Sequence, residues 1–387
     1  MKINIAILGS TGSIGGNILD IVRKDKKNLR VVLLTANKNY KKLIQQAKEF
    51  KVKNILIYND RYYEFLKAKL KGRKINIFSR KTKLNKILKK KVDYTICGIS
   101  GLDGLKPTLD IIKFTKTMAS ANKESIICGW YLINKELKKY NTKFIPIDSE
   151  HYSIWNLTRG YSNNDIEEII LTASGGPLLN SPIRIQKTIT PEKTVRHPKW
   201  KMGKKISVDS ANLMNKVFEI MEASKIFNFD LEKYKIFIHP QSYVHTIIKF
   251  KNGLIKMLLH DTDMKIPIFN SIYDKKIKCI TSKKINSKTL NNLNFYEVDK
   301  LKFPSVKLLK KISKKNTLYD TVIIVANEEL VKLFLLNKIS LRQIVESLTK
   351  IINSKECKKY FTKKPTSVSK ILEVGELVRL KTNSISV

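Results

Sequence analysis

Residues 145–151 read IPIDSEH, which puts Asp148 and Glu150 one residue apart, with Ser149 between them and His151 next. An apolar run at 144–147 leads into them and marks the end of a buried strand. On extended backbone, residues i and i+2 face the same side, so the two acids can aim at one point. Carboxylates that close repel unless a proton or cation lies between them. All-oxygen ligation suits Mg2+ or Mn2+. The same residues also fit a helix start at 151–157, with Asp148 or Ser149 as its N-cap. The two readings are compatible, and the pair alone does not separate them.

A second group lies at 207–223, SVDSANLMNKVFEIMEA, which reads as a helix after Val208. Asn215 and Glu219 stand i,i+4 on one face, with Lys216 beside them and Ser210 near the N-terminus. A hydroxyl, an amide, an ammonium and a carboxylate on one side can hold a phosphate and a metal together. Spacing alone favours a plainer reading, a solvated face over a core stripe of Met214, Val217, Phe218 and Met221.

The N-terminal IAILGSTGSIGGNILDIV is strand, glycine loop, helix, with Gly9, Gly12 and Gly15 at GxxGxxG spacing. Such a loop lets a pyrophosphate approach the helix N-terminus, where free N–H groups favour anions. Ser10, Thr11 and Ser13 add hydroxyl donors. After the second strand, VVLLTA, come Asn37, Lys38 and Asn39 rather than the acid that would bind a ribose 2′-hydroxyl. A cation there suits a 2′-phosphate, hence NADPH. SANKES, 120–125, follows another strand. Asn122, Lys123 and Glu124 can face nicotinamide or substrate, or simply cap a helix, with equal weight.

These groups need a scaffold. Apolar runs at 3–8, 31–35, 54–58, 92–97, 116–119 and 144–147 alternate with helix-like stretches at 41–52, 61–71, 102–114 and 123–138, the pattern of a parallel sheet covered on both faces. Runs at 167–172, 235–239, 243–250 and 254–260 read as strands, with a hairpin turn at KNGL, 251–254. Residues 175–203 carry Pro177, Pro182, Pro191 and Pro198 with little periodicity, a loop with function. Residues 275–300 are rich in Lys, Asn and Ser, and the chain from about 305 is helical.

Of the 75 basic residues behind the net charge of +42, ten are Arg, and the Lys are spread over almost every segment. Dedicated nucleic-acid readers lean on Arg, so the charge reads as compositional drift on solvated faces that also attracts a phosphorylated substrate. Cys97, Cys128, Cys279 and Cys357 form no CxxC pair and read as reduced thiols. No apolar run has membrane-span length. Cytoplasmic placement follows as the expectation.

GSTGSIG, ANKES, PIDSEH, SGGP, RHPKWKMG, KISVDSANLMNK and HPQSYVH occur together in this order. With TVIIVANEELVKLFL further on, the chain resembles the 1-deoxy-D-xylulose 5-phosphate reductoisomerase family from Ile5 to its C-terminal helices. The resemblance implies an α/β protein: an N-terminal Rossmann-like parallel sheet (1–150), a central α+β catalytic and dimerisation domain (151–274, lid 175–203), a linker (275–304) and a C-terminal helical bundle (305–387). It implies Asp148, Glu150 and Glu219 as ligands of one Mg2+ or Mn2+ per subunit. Ser149 and Lys123 would touch substrate near the metal, and Ser174, Ser210, Asn215 and Lys216 would bind substrate and phosphate. His197, Trp200 and Met202 fall in the lid, and His197 would also touch substrate as a catalytic residue. Thr11, Gly12, Ser13, Ile14, Asn37, Lys38, Asn39, Asn122, Glu124 and Gly203 match NADPH contacts. The activity implied is NADPH- and metal-dependent conversion of 1-deoxy-D-xylulose 5-phosphate to 2-C-methyl-D-erythritol 4-phosphate, in non-mevalonate isoprenoid precursor synthesis, by a homodimer without nucleic-acid or membrane partners.

Departures from the family pattern are Asn37 and Ala173 for Gly, and His260, Thr262 and Lys265 for Gly, Pro and Arg. His151 is expected to orient the acids and His239 to be structural, while His245 stays open. One rival is another NADPH oxidoreductase such as a semialdehyde dehydrogenase, which needs a catalytic Cys. The other is a basic nucleic-acid-binding protein. If Lys38 reads the 2′-phosphate, Lys38→Ala lowers the NADPH/NADH ratio of kcat/KM by about 10-fold or more, the weight of a charge-assisted hydrogen bond. An unchanged ratio in steady-state kinetics removes that role.

Overall fold

The computed structural model describes residues 1–200, 202–274 and 278–385. Lys201 of the expected lid, residues 275–277 of the expected linker and the last two residues, 386–387, lie outside the described residues. Contacts divide the chain into two compact units: Met1–Ser125, Leu132–Asp148 and Met264–Ile280; and Ile126–Tyr131, Ser149–Asp263 and Thr281–Val387. No described helix is long and apolar enough to cross a membrane.

The first unit is built on β1 (Ile3–Leu8), β2 (Leu29–Ala36), β3 (Asn54–Ile57), β4 (Asn76–Ser79), β5 (Val92–Cys97), β6 (Thr115–Ser120) and β7 (Lys143–Pro146). They form one parallel sheet in the order β4-β3-β2-β1-β5-β6-β7. Near-continuous apolar runs such as Ile5–Leu8 suit a sheet covered on both faces. β4, absent from the sequence reading, is a short edge strand with a polar start and no fully buried residue, so it carries little signal. Residues 264–280 return to this unit: Ile268 and Phe269 enter its core, and Ser271 Oγ lies 2.6 Å from Tyr94 OH. The strand order reverses between β1 and β5, and in such sheets ligands bind beyond the strand ends at that point. The glycine loop follows β1 there and opens the Ser13–Lys24 helix.

The glycines have separate duties. Gly9 takes φ +78°, and a Cβ on it would stand 2.9 Å from the Gly98 carbonyl oxygen. Gly15 lets the helix press on the loop, since a Cβ there would lie 2.4 Å from Ser10 Cα.

The second unit holds β8 (Ile166–Ala173), β9 (Tyr234–Ile238), β10 (Val244–Phe250), β11 (Ile255–Leu259) and β12 (Tyr296–Glu297), in the order β11-β10-β8-β9-β12. β8 and β9 are parallel and the other pairs antiparallel. The 251–254 turn joins β10 to β11, with Gly253 at φ +86°. β12 arises within the expected linker. The sheet packs on the Met214–Phe227 helix through Ile220 and Ala223. The expected C-terminal helices are Leu318–Leu335, Leu341–Asn353 and Val368–Ile385. Leu318–Leu335 is buried nearly all round and opens on a Thr317/Asp320 capping box, with Asp320 in a buried ion pair to Lys225 at 2.7 Å. Asn327 of that helix donates to Asp209 at 2.8 Å.

Two local expectations are corrected. Strand β7 ends at Pro146 and a helix starts at Ser149, so Asp148 and Glu150 are not alternate residues of one strand. The 207–223 segment is two helices, Lys204–Ala211 and Met214–Phe227, broken where Leu213 takes φ +61°. The Asn212 side chain accepts from Met214 N–H at 3.0 Å and the Asn212 backbone carbonyl from Ser305 Oγ at 2.5 Å, which fixes the break. Ser210 therefore closes the first helix rather than opening the second.

Gly15→Ala forces a clash onto backbone and is expected to destabilise by roughly 1–3 kcal/mol. Gly16, with nothing within 4 Å of a Cβ, is the control, and Gly16→Ala should be neutral or stabilising by up to about 1 kcal/mol. Urea unfolding of both variants checks the contrast, and equal midpoints refute it.

Candidate functional site

In the first unit the loop residues Thr11, Gly12, Ser13 and Ile14 lie at the start of the Ser13–Lys24 helix, with Ile14 packed on Gly98. Ser10 is corrected as a ligand donor: it is fully buried and its hydroxyl donates inward to Gln46 Oε1 at 2.8 Å. Gln46 Nε2 in turn donates to the Ser10 carbonyl at 2.9 Å. Lys42 Nζ donates to the Thr11 carbonyl at 3.1 Å, which brings a cation to the loop. Sequence reasoning missed both. The signal for Gln46 was an amide between the apolar positions Leu43, Ile44 and Ala47. Asn39 caps the Tyr40–Glu49 helix by accepting from Lys42 N–H, and Lys38 stands exposed beside it. Asn37 does not take a positive φ; its carbonyl accepts from Asn59 N–H at 3.3 Å.

Asn122 caps the Lys123–Tyr140 helix, accepting from Ser125 N–H at 2.9 Å while its amide donates to the carbonyls of Ile99 and Gly101. The cap reading of SANKES is therefore realised. Lys123 and Glu124 follow in the first helical turn, both buried. Lys123 Nζ lies 2.8 Å from Asp148 Oδ2, so this lysine holds the first of the expected acids.

In the second unit Glu150 and Glu219 meet on one ammonium. Lys216 Nζ donates to Glu150 Oε1 at 2.8 Å and pairs with Glu219 Oε2. Ser149 Oγ donates to Glu150 Oε2 at 2.5 Å, and Asn215 Nδ2 to Glu219 Oε1 at 2.5 Å. Burial alone would lower the Lys216 pKa, but the carboxylates of Glu150 and Glu219 outweigh it and raise it. His151, with no exposed surface, donates from Nε2 to the Glu219 carbonyl at 2.8 Å, and its Nδ1 lies 3.6 Å from Glu222 Oε2. Thr246 Oγ1 donates to the Glu150 carbonyl at 3.1 Å and ties β10 to the Ser149–Leu157 helix. Glu222 and Thr246 were missed, because each reads as an ordinary position on its own element.

The 175–203 segment begins at Gly175 (φ +81°) and Gly176 (φ +65°), and a Cβ on Gly176 would meet the Ser210 carbonyl oxygen at 2.8 Å. That approach brings Ser174 and Ser210 into one neighbourhood. His197 Nδ1 accepts from the N–H groups of Lys199 (3.1 Å) and Trp200 (2.9 Å), so the ring proton is on Nε2, which donates to Ser174 Oγ at 2.9 Å. Ser174 Oγ also accepts from Gly176 N–H at 3.1 Å, which leaves its own proton to give. Burial lowers the His197 pKa to about 4. Trp200 stands edge-on to His245 at 6.1 Å. Met202 is half-buried, and Gly203 caps the Lys204–Ala211 helix with open space at its Cβ position. His239 stacks on Phe295 at 4.6 Å and bonds the Asn294 carbonyl, a structural placement. Cys97 is fully buried, which pushes its thiol up to about 12 and makes it a poor nucleophile.

Three family models match the chain: 1-deoxy-D-xylulose 5-phosphate reductoisomerase over residues 5–129, the C-terminal domain of that enzyme over 144–227, and a further DXP reductoisomerase C-terminal domain over 259–381. The 1-deoxy-D-xylulose 5-phosphate reductoisomerase of Pelagibacter ubique is 52% identical over 385 residues, 99% of each chain. That of Aquifex aeolicus is 35% identical, covering 98% of this chain and 97% of the relative. Among solved structures, the reductoisomerase from Zymomonas mobilis in complex with NADPH superposes with TM-score 0.89 at 30% identity, covering 100% of this chain and 99% of that one. A DOX-P reductoisomerase in complex with NADPH, fosmidomycin and magnesium gives TM-score 0.90 at 30% identity, covering 100% and 98%.

His197 carries a pH expectation. Its folded pKa (about 4) lies below the ordinary 6.5, so the neutral ring's contribution to stability is complete above about 6.5 and is lost as pH falls towards 4. Histidine 15N NMR should show His197 as the Nε2–H tautomer at pH 5, and a half-protonated ring near pH 6.5 refutes this.

Proposed function

The chain belongs to the 1-deoxy-D-xylulose 5-phosphate reductoisomerase family, and we propose that it converts 1-deoxy-D-xylulose 5-phosphate to 2-C-methyl-D-erythritol 4-phosphate with NADPH and one Mg2+ or Mn2+ per subunit. The observation that carries the reading is the Glu150–Lys216–Glu219 group: a hydrogen-bonded set of anionic oxygens already gathered around a cation. The donors are hard oxygens, which fits Mg2+ or Mn2+ and not a soft metal. Glu150 and Glu219 are the proposed ligands from the second unit, and Asp148 is added from the family pattern. When bound, the ion supplies Lewis-acid polarisation of the ketose oxygens.

The chain's own residues do the rest. Ser174, Ser210, Asn215 and Lys216 hold the phosphorylated substrate, with Ser174 contributing the hydroxyl proton that His197 and Gly176 leave available. Ser149 and Lys123 position the reacting end. The ketose first rearranges, without change in composition, to a branched aldehyde. NADPH, when held by the glycine loop, would supply the hydride that, with a proton on the oxygen, reduces this aldehyde to the alcohol. His197, Trp200 and Met202 exclude water while this happens. On the first unit, the glycine loop 11–14 with Asn37, Lys38 and Asn39 binds NADPH at the helix N-terminus. Asn122, Glu124 and Gly203 complete the proposed cofactor contacts, Asn122 by shaping the loop it anchors. We place the enzyme in the cytoplasm, in isoprenoid precursor synthesis, as a homodimer. Exposed Ile255 and Met257 on the edge strand β11 support self-association, and sedimentation velocity tests it.

The deciding assay is NADPH oxidation on adding 1-deoxy-D-xylulose 5-phosphate, with and without chelator; no turnover with Mg2+ or Mn2+ present sinks the reading. Glu219→Gln should still unfold cooperatively, while the Mg2+ needed for half-maximal rate rises by about 10-fold or more. Unaltered metal dependence removes Glu219 from the set.

A further inference from the structure

β10 and β11 pair with a register shift between Val244 and Thr246, so His245 is the extra residue of a β-bulge. Bulges re-aim a side chain. Here the His245 ring turns onto the ring of His260, stacked at 3.8 Å between centroids with 25° between planes. Two hydrogen bonds fix the pair: His245 Nε2–H donates to the His260 carbonyl at 3.2 Å, and His260 Nδ1–H to the Asp261 carbonyl at 2.7 Å. Burial holds both rings neutral, so they stack without charge repulsion. His260 Nε2 is buried and has no hydrogen-bond partner among the described residues, so this ring is held by its stacking and by one polar contact. The His245 ring also makes an edge contact with Trp200, at 6.1 Å between centroids and 65° between planes. The next residue on the strand, Thr246, bonds the backbone of Glu150. One strand thus supports both the proposed ligand helix and the aromatic arm of the 175–203 segment.

We propose that His260 is a positioning residue, backing His245 so that Trp200 closes against a fixed surface and holds the phosphorylated substrate. This rests on the reading of 175–203 as a substrate lid. His260 touches neither substrate nor cofactor in this account. Its effect reaches the ligand through His245 and Trp200.

The test uses the full-length enzyme labelled with 5-fluorotryptophan, whose Trp200 resonance is assigned with Trp200→Phe. His260→Gly should shift or broaden that resonance. It should also raise KM for 1-deoxy-D-xylulose 5-phosphate by about 3- to 10-fold, the range one aromatic contact supplies, with KM for NADPH unchanged. His260→Phe keeps a flat ring in place and should restore both readouts. His260→Asn, which keeps a polar group but no plate, should behave like Gly and serves if Gly lowers the melting temperature. An unmoved Trp200 signal with unchanged KM in Gly and Asn overturns the proposal. So does an equal rise in both KM values, or a failure of Phe to rescue. Absence of any turnover in the parent enzyme would strike the functional reading instead, while the fluorine signal still reports whether His260 positions Trp200.

Discussion

The Lys216 ammonium, buried between the carboxylates of Glu150 and Glu219, is the contact on which the second unit turns. A charge at that depth is tolerable only when paired and hydrogen-bonded. Meeting that condition requires the first turns of the Ser149–Leu157 and Met214–Phe227 helices to face each other. The positive φ of Leu213 is part of the cost, since a continuous helix from 204 to 227 would swing Asn215, Lys216 and Glu219 to other faces. His151 on the Glu219 carbonyl and Thr246 on the Glu150 carbonyl hold the two helices from outside the charged group. Strained backbone held by its surroundings at such a place is how sites are pre-organised.

The first unit meets a different constraint, the approach of backbone to backbone. Gly9 against Gly98 and Gly15 against Ser10 leave no room for a Cβ, so the loop is shaped by close packing. The polar side chains nearest the loop then brace it: Gln46 ties Ser10 to the second helix and Asn122 ties the 99–101 turn to the end of β6. A rigid loop with its outward N–H groups still available is what binding an anion at a helix N-terminus requires.

The 175–203 segment has two positive-φ glycines, Gly175 and Gly176, at one end and specific polar contacts at the other. These contacts depend on an uncharged His197, whose Nδ1 must keep a lone pair for two backbone N–H groups while its Nε2–H reaches Ser174. Protonation of Nδ1 would turn an acceptor into a donor facing donors, which is why burial and geometry agree on the same tautomer.

Period and punctuation in the sequence determined much of this. The runs at 3–8 and 92–97 coincide with β1 and β5, and the 251–254 turn falls where the hairpin closes, because apolar runs and turn glycines act locally. The GxxGxxG spacing marked the loop for the same reason. The edge strand β4 and the break at Leu213 were not legible, since one has almost no buried face and the other contradicts local preference. The placement of Glu150 with Glu219, far apart in sequence, was decided only when Lys216 drew both carboxylates to one buried point. The His245–His260 stack likewise needed the β10–β11 register shift to turn a ring across the strand pair. Spacing reports which way a side chain faces on its own element. It carries no information about what another element brings opposite, and that partner is what gathered these residues.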